Sequence, residues 1–390
     1  MSETSYLGWP FFEEHHRTLA STLDAWAKVH MAELTANEHE DLDGTCVALV
    51  RALGDAGFTG YAVPASGGGN QEKLDVRTLC IIRETLARYS ALADFAFAMQ
   101  GLGSGPISLF GSEQQQLNYL NAVAKGHKIS AFSLSEPNAG SDVAAMTCSA
   151  QRDGDEWVIN GAKQFITSGK NGQMIIVFAV TDKDAGKRGI SAFIVPTNTP
   201  GYEVVRVEDK LGLNCTDTCQ LAFTDMRVPA ENMLGEEGQG YKIALANLEG
   251  GRIGIAAQAV GMARSALKVA RDYATERTSF GTAIANHQAV GFRLADMATQ
   301  MEAARQMVLH AASLKEASIP CLNEASMAKL FASEVAEKVC SDAIQTLGGY
   351  GYLSDYPVER IYRDVRICQI YEGTSQIQRL VIAREHLGRS

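Results

Sequence analysis

The chain has 390 residues, enough for two or three domains, and 46% of them are hydrophobic, so each domain can bury a core. Its 35 Lys and Arg against 45 Asp and Glu leave a net charge of −10, with no basic stripe to override it, which argues against nucleic acid as a partner. The longest apolar run, Met174 to Val180, falls far short of the roughly 18 residues of a spanning helix, so no membrane segment is expected.

The opening MSETSYLGWPFFEEHH lacks the basic start and apolar stretch of a secretory signal and is too acidic for a transit peptide, which predicts a cytoplasmic location. His15 and His16 are expected on a solvated helix face, and the absence of H-E-x-x-H points away from a metalloenzyme. From Phe11 to about Lys125, apolar residues recur at three and four (Leu49, Val50, Leu53; Leu79, Ile82, Leu86), with Gly-rich interruptions at 67 to 69 and 101 to 105. Residues 1–125 therefore read as a helical domain. Cysteines 46, 80, 148, 215, 219, 321, 340 and 368 form no C-x-x-C pair and read as buried, reduced thiols.

Residues 126–238 change to β-rich stretches, namely KISAFSLSE, EWVING, MIIVFAV, GISAFIV, YEVVRV and CQLAFTDMRV. Asp153-Gly154, Asn160-Gly161 and Asn171-Gly172 favour tight reversals between them. After Tyr241 the helical period returns in segments at about 241–274, 286–317 and 324–346, then a Gly-Tyr-rich break and a final helix from Ser375. Ser375-x-x-Gln378 reads as a capping box, with Ile377, Leu380 and Val381 on one face, and residues 239–390 as an antiparallel bundle.

Five segments stand out, each with an ordinary alternative. Phe132-Ser133-Leu134-Ser135-Glu136-Pro137-Asn138-Ala139-Gly140-Ser141 is a strand entering a small-residue loop, suited to a flat polar ligand or to a plain turn. In Phe165-Ile166-Thr167 the aromatic ring and the hydroxyl alternate and share one strand face, either as a stacking surface with a hydrogen bond or as part of a hairpin. Arg277-Thr278-Ser279-Phe280, followed by His287-Gln288, suits a pyrophosphate or a surface ion pair. Gln345-Thr346-Leu347-Gly348-Gly349 is a helix stop or a close approach for another chain or cofactor. Glu372, between the apolar Ile367, Ile370 and Tyr371 and the final helix, is either a poorly hydrated base or a helix-start acid.

In order and spacing, SLSEPNAGSD, WVINGAKQFITSG, KLGLNCTDTCQLAFTDMRVPAENMLGEEGQGY, GGRIGIAAQAVGMA, ERTSFG, QTLGGYGY and IYEGTSQIQR resemble the acyl-CoA dehydrogenase family over essentially the whole chain, nearest to its short-chain and short-branched-chain subgroup. The resemblance implies an α+β fold: an N-terminal all-α domain, a central antiparallel β-barrel-like domain and a C-terminal four-helix bundle. It implies FAD, with the flavin meeting Phe132 through Ser141 and Phe165, Ile166 and Thr167. Pyrophosphate and adenosine would meet Arg277, Thr278, Ser279, Phe280, His287, Gln288 and Gln345 to Gly349, largely from a neighbouring subunit of a homotetramer, a dimer of dimers. Thr374, Ser375 and Gln376 follow on the base's own loop.

By the same resemblance, Glu372 takes the α proton of an acyl-CoA thioester while the β hydride passes to flavin N5, giving a trans-2-enoyl-CoA. Electron-transfer flavoprotein then takes the electrons. Ser141, Glu249, Arg252 and Gly373 match substrate-contact positions. Some members carry the base at the position of Gly251, which has no proton acceptor here. Asn138 stands where the family usually has glycine, and Asn is the residue that best tolerates positive φ after glycine. Competing readings are an oxygen-reactive oxidase or flavin monooxygenase of the same fold, and a non-catalytic acyl-CoA-binding paralogue.

Overall fold

A computed structural model describes residues 4–38, 40–214 and 216–388. Helices α1 (Glu14–Leu34), α2 (Leu42–Asp55), α3 (Val76–Tyr89), α4 (Ala91–Phe110) and α5 (Glu113–Ala124) come first. Their starts are set by side chains that accept orphan amides: Asp75 takes the Thr78 N–H and Ser90 that of Ala93, while Ser112 and Gln115 form a reciprocal box. Leu49, Leu53, Ile82 and Leu86 are fully buried in one cluster, as their spacing predicts.

Two readings of this region change. The glycines at 101 to 105 lie inside α4 and do not interrupt it. Gly103 faces strand β1 (Ser130–Ser133), where an added Cβ would sit 2.5 Å from Ser130 Oγ, so the missing side chain lets helix and strand meet closely. His16 is fully buried instead of solvated: its Nδ1 accepts the Glu13 N–H and its Nε2 lies 3.0 Å from the capping carboxylate of Asp75. Only His15 stays exposed.

After β1 come β2 (Ser149–Asp153), β3 (Glu156–Thr167), β4 (Met174–Val180), β5 (Ile190–Pro196), β6 (Tyr202–Val207), β7 (Thr218–Pro229) and β8 (Met233–Leu234). The sheet order is β6-β7-β3-β2-β4-β5-β8, with β1 added in parallel on β4. Every other pairing is antiparallel except the short β2–β4 contact. Met174–Val180 reads as a continuous apolar run because both faces of β4 are covered. Ile175, Val177 and Ala179 pack inside the sheet's own core, while Met174, Ile176 and Phe178 pack with Ile107 of α4 and Leu120 of α5.

Asp153-Gly154 turns β2 into β3 as expected, but Asn160-Gly161 is no reversal: both residues lie within β3, where the register on β7 shifts. Asn171-Gly172 turns the chain between β3 and β4, which are not paired with each other.

The long α6 (Gly240–Glu276) is followed by the tiny hairpin β9 (Thr278–Ser279) and β10 (Thr282–Ala283), then α7 (Gln288–Glu316), α8 (Leu322–Leu347), α9 (Val358–Val365) and α10 (Ser375–His386). The core among α6, α7 and α8 is dominated by alanines such as Ala256, Ala263, Ala304, Ala311, Ala328 and Ala336, small enough for close helix approach. α10 begins at Ser375 as expected, but its cap lies one residue earlier than the capping box predicted. Thr374 is the cap, its Oγ1 accepting the Ile377 N–H, whereas Ser375 is already helical and buried with Gln378; Leu380 is exposed.

Cys80, Cys148, Cys219, Cys321, Cys340 and Cys368 are buried thiols and Cys46 is partly buried, while Cys215 lies outside the described residues. No helix among the described residues is long and apolar enough to cross a membrane.

Candidate active site

Glu372 occupies a short loop between a 3-10 turn (Arg366–Gln369) and α10. Its φ is +50° and that of Gly373 is +91°, two successive left-handed residues that turn the carboxylate back toward α6. There it meets Gly251: a Cβ at that position would lie 2.0 Å from Glu372 Oε2. The helix is bare where the acid docks, so the two positions share one space and only one of them can carry a carboxylate.

Glu372 Oε2 is enclosed and has no hydrogen-bond partner. Burial pushes this carboxyl above the ordinary carboxylate range, while Arg83 of α3, Lys329 of α8 and Arg252 of α6 oppose that shift and Asp94 of α4 reinforces it. Arg83 is held by Asp94 through two parallel 2.9 Å bonds, both side chains buried. Arg252 donates to Ser326 Oγ at 3.2 Å, and its buried Nε is unpartnered. Glu249 pairs with Lys315 at 2.9 Å. The backbone amide of Glu372 donates to no protein acceptor among the described residues.

Behind the acid, the Tyr371 ring lies parallel to Phe95 of α4 with centroids 6.0 Å apart, and its hydroxyl bonds to Gln258 of α6. The Cys368 thiol, 3.8 Å from the same amide oxygen, is pushed up to about 12 by burial and stays protonated.

The flavin-ring candidates reach the same stretch of α6. Leu248, one turn before Gly251, packs on the cluster containing Phe132 and Leu134. Phe132, Leu134 and Ala139 are core residues. The Glu136 carboxylate is spent inside the chain: it accepts from Lys163 Nζ at 2.9 Å and from the amides of Thr147 and Cys148. It stiffens the loop and offers nothing outward. Pro137, Asn138, Gly140 and Ser141 are exposed, and Asn138 is not among the residues with positive φ.

The backbone amide of Gln164 donates to Ser135 O, bringing this loop beside Phe165–Thr167. Phe165 and Thr167 do not follow plain alternation. The β3–β7 register shifts between Lys163 and Ile166, and Phe165, at φ +62°, is thrown out into solvent while Ile166 is buried in the sheet core.

A second cleft of about 530 Å³ brings Arg277 together with Thr346, Leu347, Gly348 and Gly349. Arg277 lies over the Tyr350 ring, and no ion pair holds it among the described residues. Thr346 Oγ1 is turned back to Asp342 O, and Leu347 is buried, so the exposed side chain here is Gln345 and the rest offers backbone. Thr278 and Ser279 form the β9 edge, with His287 Nε2 3.2 Å from Ser279 O; Phe280 at the tip is 96% exposed. Gln288 and Gln376 are exposed, and Ser375 Oγ is buried without a partner.

The family comparisons agree with one another along the chain. The family models described as acyl-CoA dehydrogenase N-terminal, middle and C-terminal domains match residues 13–127, 131–226 and 238–387. A mitochondrial short-chain specific acyl-CoA dehydrogenase of Mus musculus is 44% identical over 381 residues, 97% of this chain and 91% of that protein. The chain belongs to the acyl-CoA dehydrogenase family.

Acyl-CoA dehydrogenases are flavin-dependent oxidoreductases, and this chain is one of them. Among solved structures, a chain described under the electron transferring flavoprotein of Acidaminococcus fermentans has a TM-score of 0.91 and 42% identity, covering 96% of this chain and 98% of that one. An acyl-CoA dehydrogenase complexed with FAD from Bacillus anthracis has a TM-score of 0.90 and 33% identity, covering 97% of this chain and 68% of that one. The residues present fit a flavin: Ser133 Oγ is buried and unpartnered beneath an exposed loop, Phe165 offers a free ring face, and the Arg277 cleft offers a fork beside bare glycine backbone.

Sequence reasoning missed Arg83, Asp94, Gln258 and Lys329, and it read Gln378 only as a capping-box residue. One signal was available: Lys329 follows Ala325 and precedes Ala332 and Ala336 on the apolar stripe of α8, where a lysine is out of place. The other possible ligand cluster, His15, His16 and Asp75, reads as a cap. His16 Nδ1 accepts from Glu13, so its Nε2 carries the proton and donates to Asp75.

Proposed function

We propose that this acyl-CoA dehydrogenase converts a short-chain acyl-CoA to its trans-2-enoyl-CoA, with Glu372 as the base, FAD as its flavin and electron-transfer flavoprotein as the acceptor. The reading rests on the Glu372 carboxyl, which is enclosed, unpartnered at Oε2 and docked on a bare glycine. A carboxylate raised by burial is a stronger base than a solvated one, and Arg83, Lys329 and Arg252 each favour its ionised form. Glu372 Oε2 takes the α proton, and the free Glu372 amide is available to the thioester oxygen, where charge develops.

FAD, when bound, would supply the two-electron acceptor for the β hydride. Ser133, Phe165, Thr167 and the exposed Asn138, Gly140 and Ser141 would hold its ring; Arg277 and the 345–349 turn would hold the pyrophosphate and adenosine of a neighbouring subunit's FAD in a homotetramer. The solvent-exposed Phe280, Phe292 and Tyr352 support such an assembly. A short acyl chain is supported by the stack of Tyr371 on Phe95, tied to Gln258, which closes the space behind the base, and by the short-chain specific relative.

Anaerobic bleaching of the flavin by a panel of acyl-CoA thioesters tests this directly. Short straight or short branched chains are expected to bleach fastest. Preference for long chains would refute the substrate, absence of bleaching the activity, and rapid reoxidation of the bleached protein by air would favour an oxidase.

Arg277→Ala is expected to weaken FAD retention roughly 10- to 100-fold, as the loss of charged hydrogen bonds implies. Melting temperature should fall with it, excess FAD restoring much of the loss by mass action, and Arg277→Lys should recover only part. Flavin content and melting curves equal to wild type would make Arg277 a surface residue.

A further inference from the structure

We infer that Lys329 is a positioning residue for the base: its ammonium clamps the two carbonyls that flank Glu372 and sets beside the carboxylate a positive charge that no second acid among the described residues answers. The inference rests on Glu372 being the base.

Lys329 is 1% exposed on the alanine-lined face of α8. A buried ammonium ordinarily has a carboxylate partner. Lys329 has none within 4.0 Å among the described residues; its Nζ donates to Tyr371 O at 2.5 Å and also to Gly373 O. Two of its three donors are thus spent on the carbonyls either side of Glu372. Gln378 Nε2 adds a 2.9 Å bond to Gly373 O and a 3.5 Å bond to Glu372 O. Three successive carbonyls are pinned through the two left-handed residues, and the base is delivered onto Gly251 with its Oε2 unpartnered.

The charges around Glu372 are not equivalent. Arg83, from α3, is neutralised by its bidentate pair with Asp94 of α4. Arg252, from α6, shares its field with Glu249. On the base's own segment, burial keeps Tyr371 and Cys368 protonated. Among the described residues, Lys329 alone has no acid but Glu372 to answer it. Burial lowers the Lys329 ammonium to about 8, with Glu372 resisting that fall, so the lysine is charged at neutral pH and its charge favours the ionised form of Glu372. The coupling is reciprocal: when Glu372 accepts a proton, Lys329 loses its only counter-charge.

The test uses the FAD-loaded protein, with two readouts in wild type, Lys329→Gln and Lys329→Arg. One is the infrared titration of the Glu372 carboxyl band, identified by its loss in Glu372→Gln; the other is flavin reduction by acyl-CoA against pH. In Lys329→Gln the carboxyl midpoint and the acidic limb of the rate are expected to rise together by about one pH unit or more. The rate at its optimum should fall roughly 10- to 100-fold from the loosened loop. Lys329→Arg keeps the charge but not the compact two-carbonyl clamp, so its midpoint should stay while its rate falls.

A Lys329→Gln midpoint equal to wild type, whatever its rate, overturns the proposal and leaves the lysine a structural anchor. If that variant does not fold, Lys329→Arg decides alone: an unmoved midpoint supports the proposal and a raised one overturns it. Normal flavin reduction by Glu372→Gln, with the carboxyl midpoint still rising in Lys329→Gln, would refute the base and leave the clamp standing.

Discussion

Glu372→Gln is expected to keep the fold and the flavin and to lose flavin reduction by acyl-CoA roughly 10²- to 10⁴-fold, the usual contribution of a positioned base. The amide matches the carboxyl in volume and cannot accept the α proton. Gly251 offers no substitute on α6, since the acid occupies the space where a side chain there would stand.

The same substitution carries a stability signature. Burial raises the folded-state pKa of Glu372, so the folded chain holds this proton more tightly than the unfolded one. Its contribution to stability is therefore fully present below the unfolded pKa and is lost as pH rises through the raised folded value. Above that value Glu372→Gln should melt higher than wild type, and the gap should shrink as the solution is acidified. Wild-type reduction should fall over the same acid window as the base protonates. Near-normal reduction by the variant would refute the base assignment, and a lower melting temperature at neutral pH would refute the pKa shift.

Asp94→Asn should have the largest effect on stability. Asp94 is wholly buried and its two oxygens receive the Arg83 fork at 2.9 Å each; neutralising it leaves a guanidinium in the interior without its hydrogen-bonded counter-charge. Breaking such a pair costs about 3–5 kcal/mol, whereas replacing both partners by apolar groups of similar volume is often near neutral. The double variant Arg83→Met/Asp94→Leu should thus be more stable than Asp94→Asn. Denaturant midpoints of wild type, single and double variants give the answer. An Asp94→Asn midpoint matching wild type would show the pair to be dispensable, and a double variant below the single would show the charges to be worth more than their desolvation.

Much of the candidate site can be read from the chain because its pieces are local. A glycine-rich stop after a long helix, an arginine beside hydroxyl residues, and an acid between an apolar run and a capped helix each occupy a few consecutive positions. The family's order of those pieces adds the rest. Local reading went astray where the third dimension intervened. Gly101 to Gly105 looked like a break, yet α4 runs through them because β1 and α6 press on that face. His16 looked solvated, yet it is committed to Glu13 and to the cap of α3 from the far side of a loop. Asn160-Gly161 looked like a hairpin turn, but β3 continues through it on a shifted register. The strand β2 was not foreseen, since Ser149-Ala-Gln-Arg-Asp153 carries a single buried apolar residue.

The sequence alone determined the three regions, the type of the main elements, the family and the identity of the candidate base, because hydrophobic period, turn chemistry and motif order are properties of neighbouring residues. Only the tertiary structure decided the surroundings of that candidate. Arg83, Asp94, Gly251, Arg252, Lys329 and Gln378 lie on five helices and come together around one carboxylate across as many as 289 positions of chain, from Arg83 to Glu372. Desolvation, counter-charge and the pinning of a left-handed loop depend on which side chains meet in space, and no local pattern in the chain encodes that meeting.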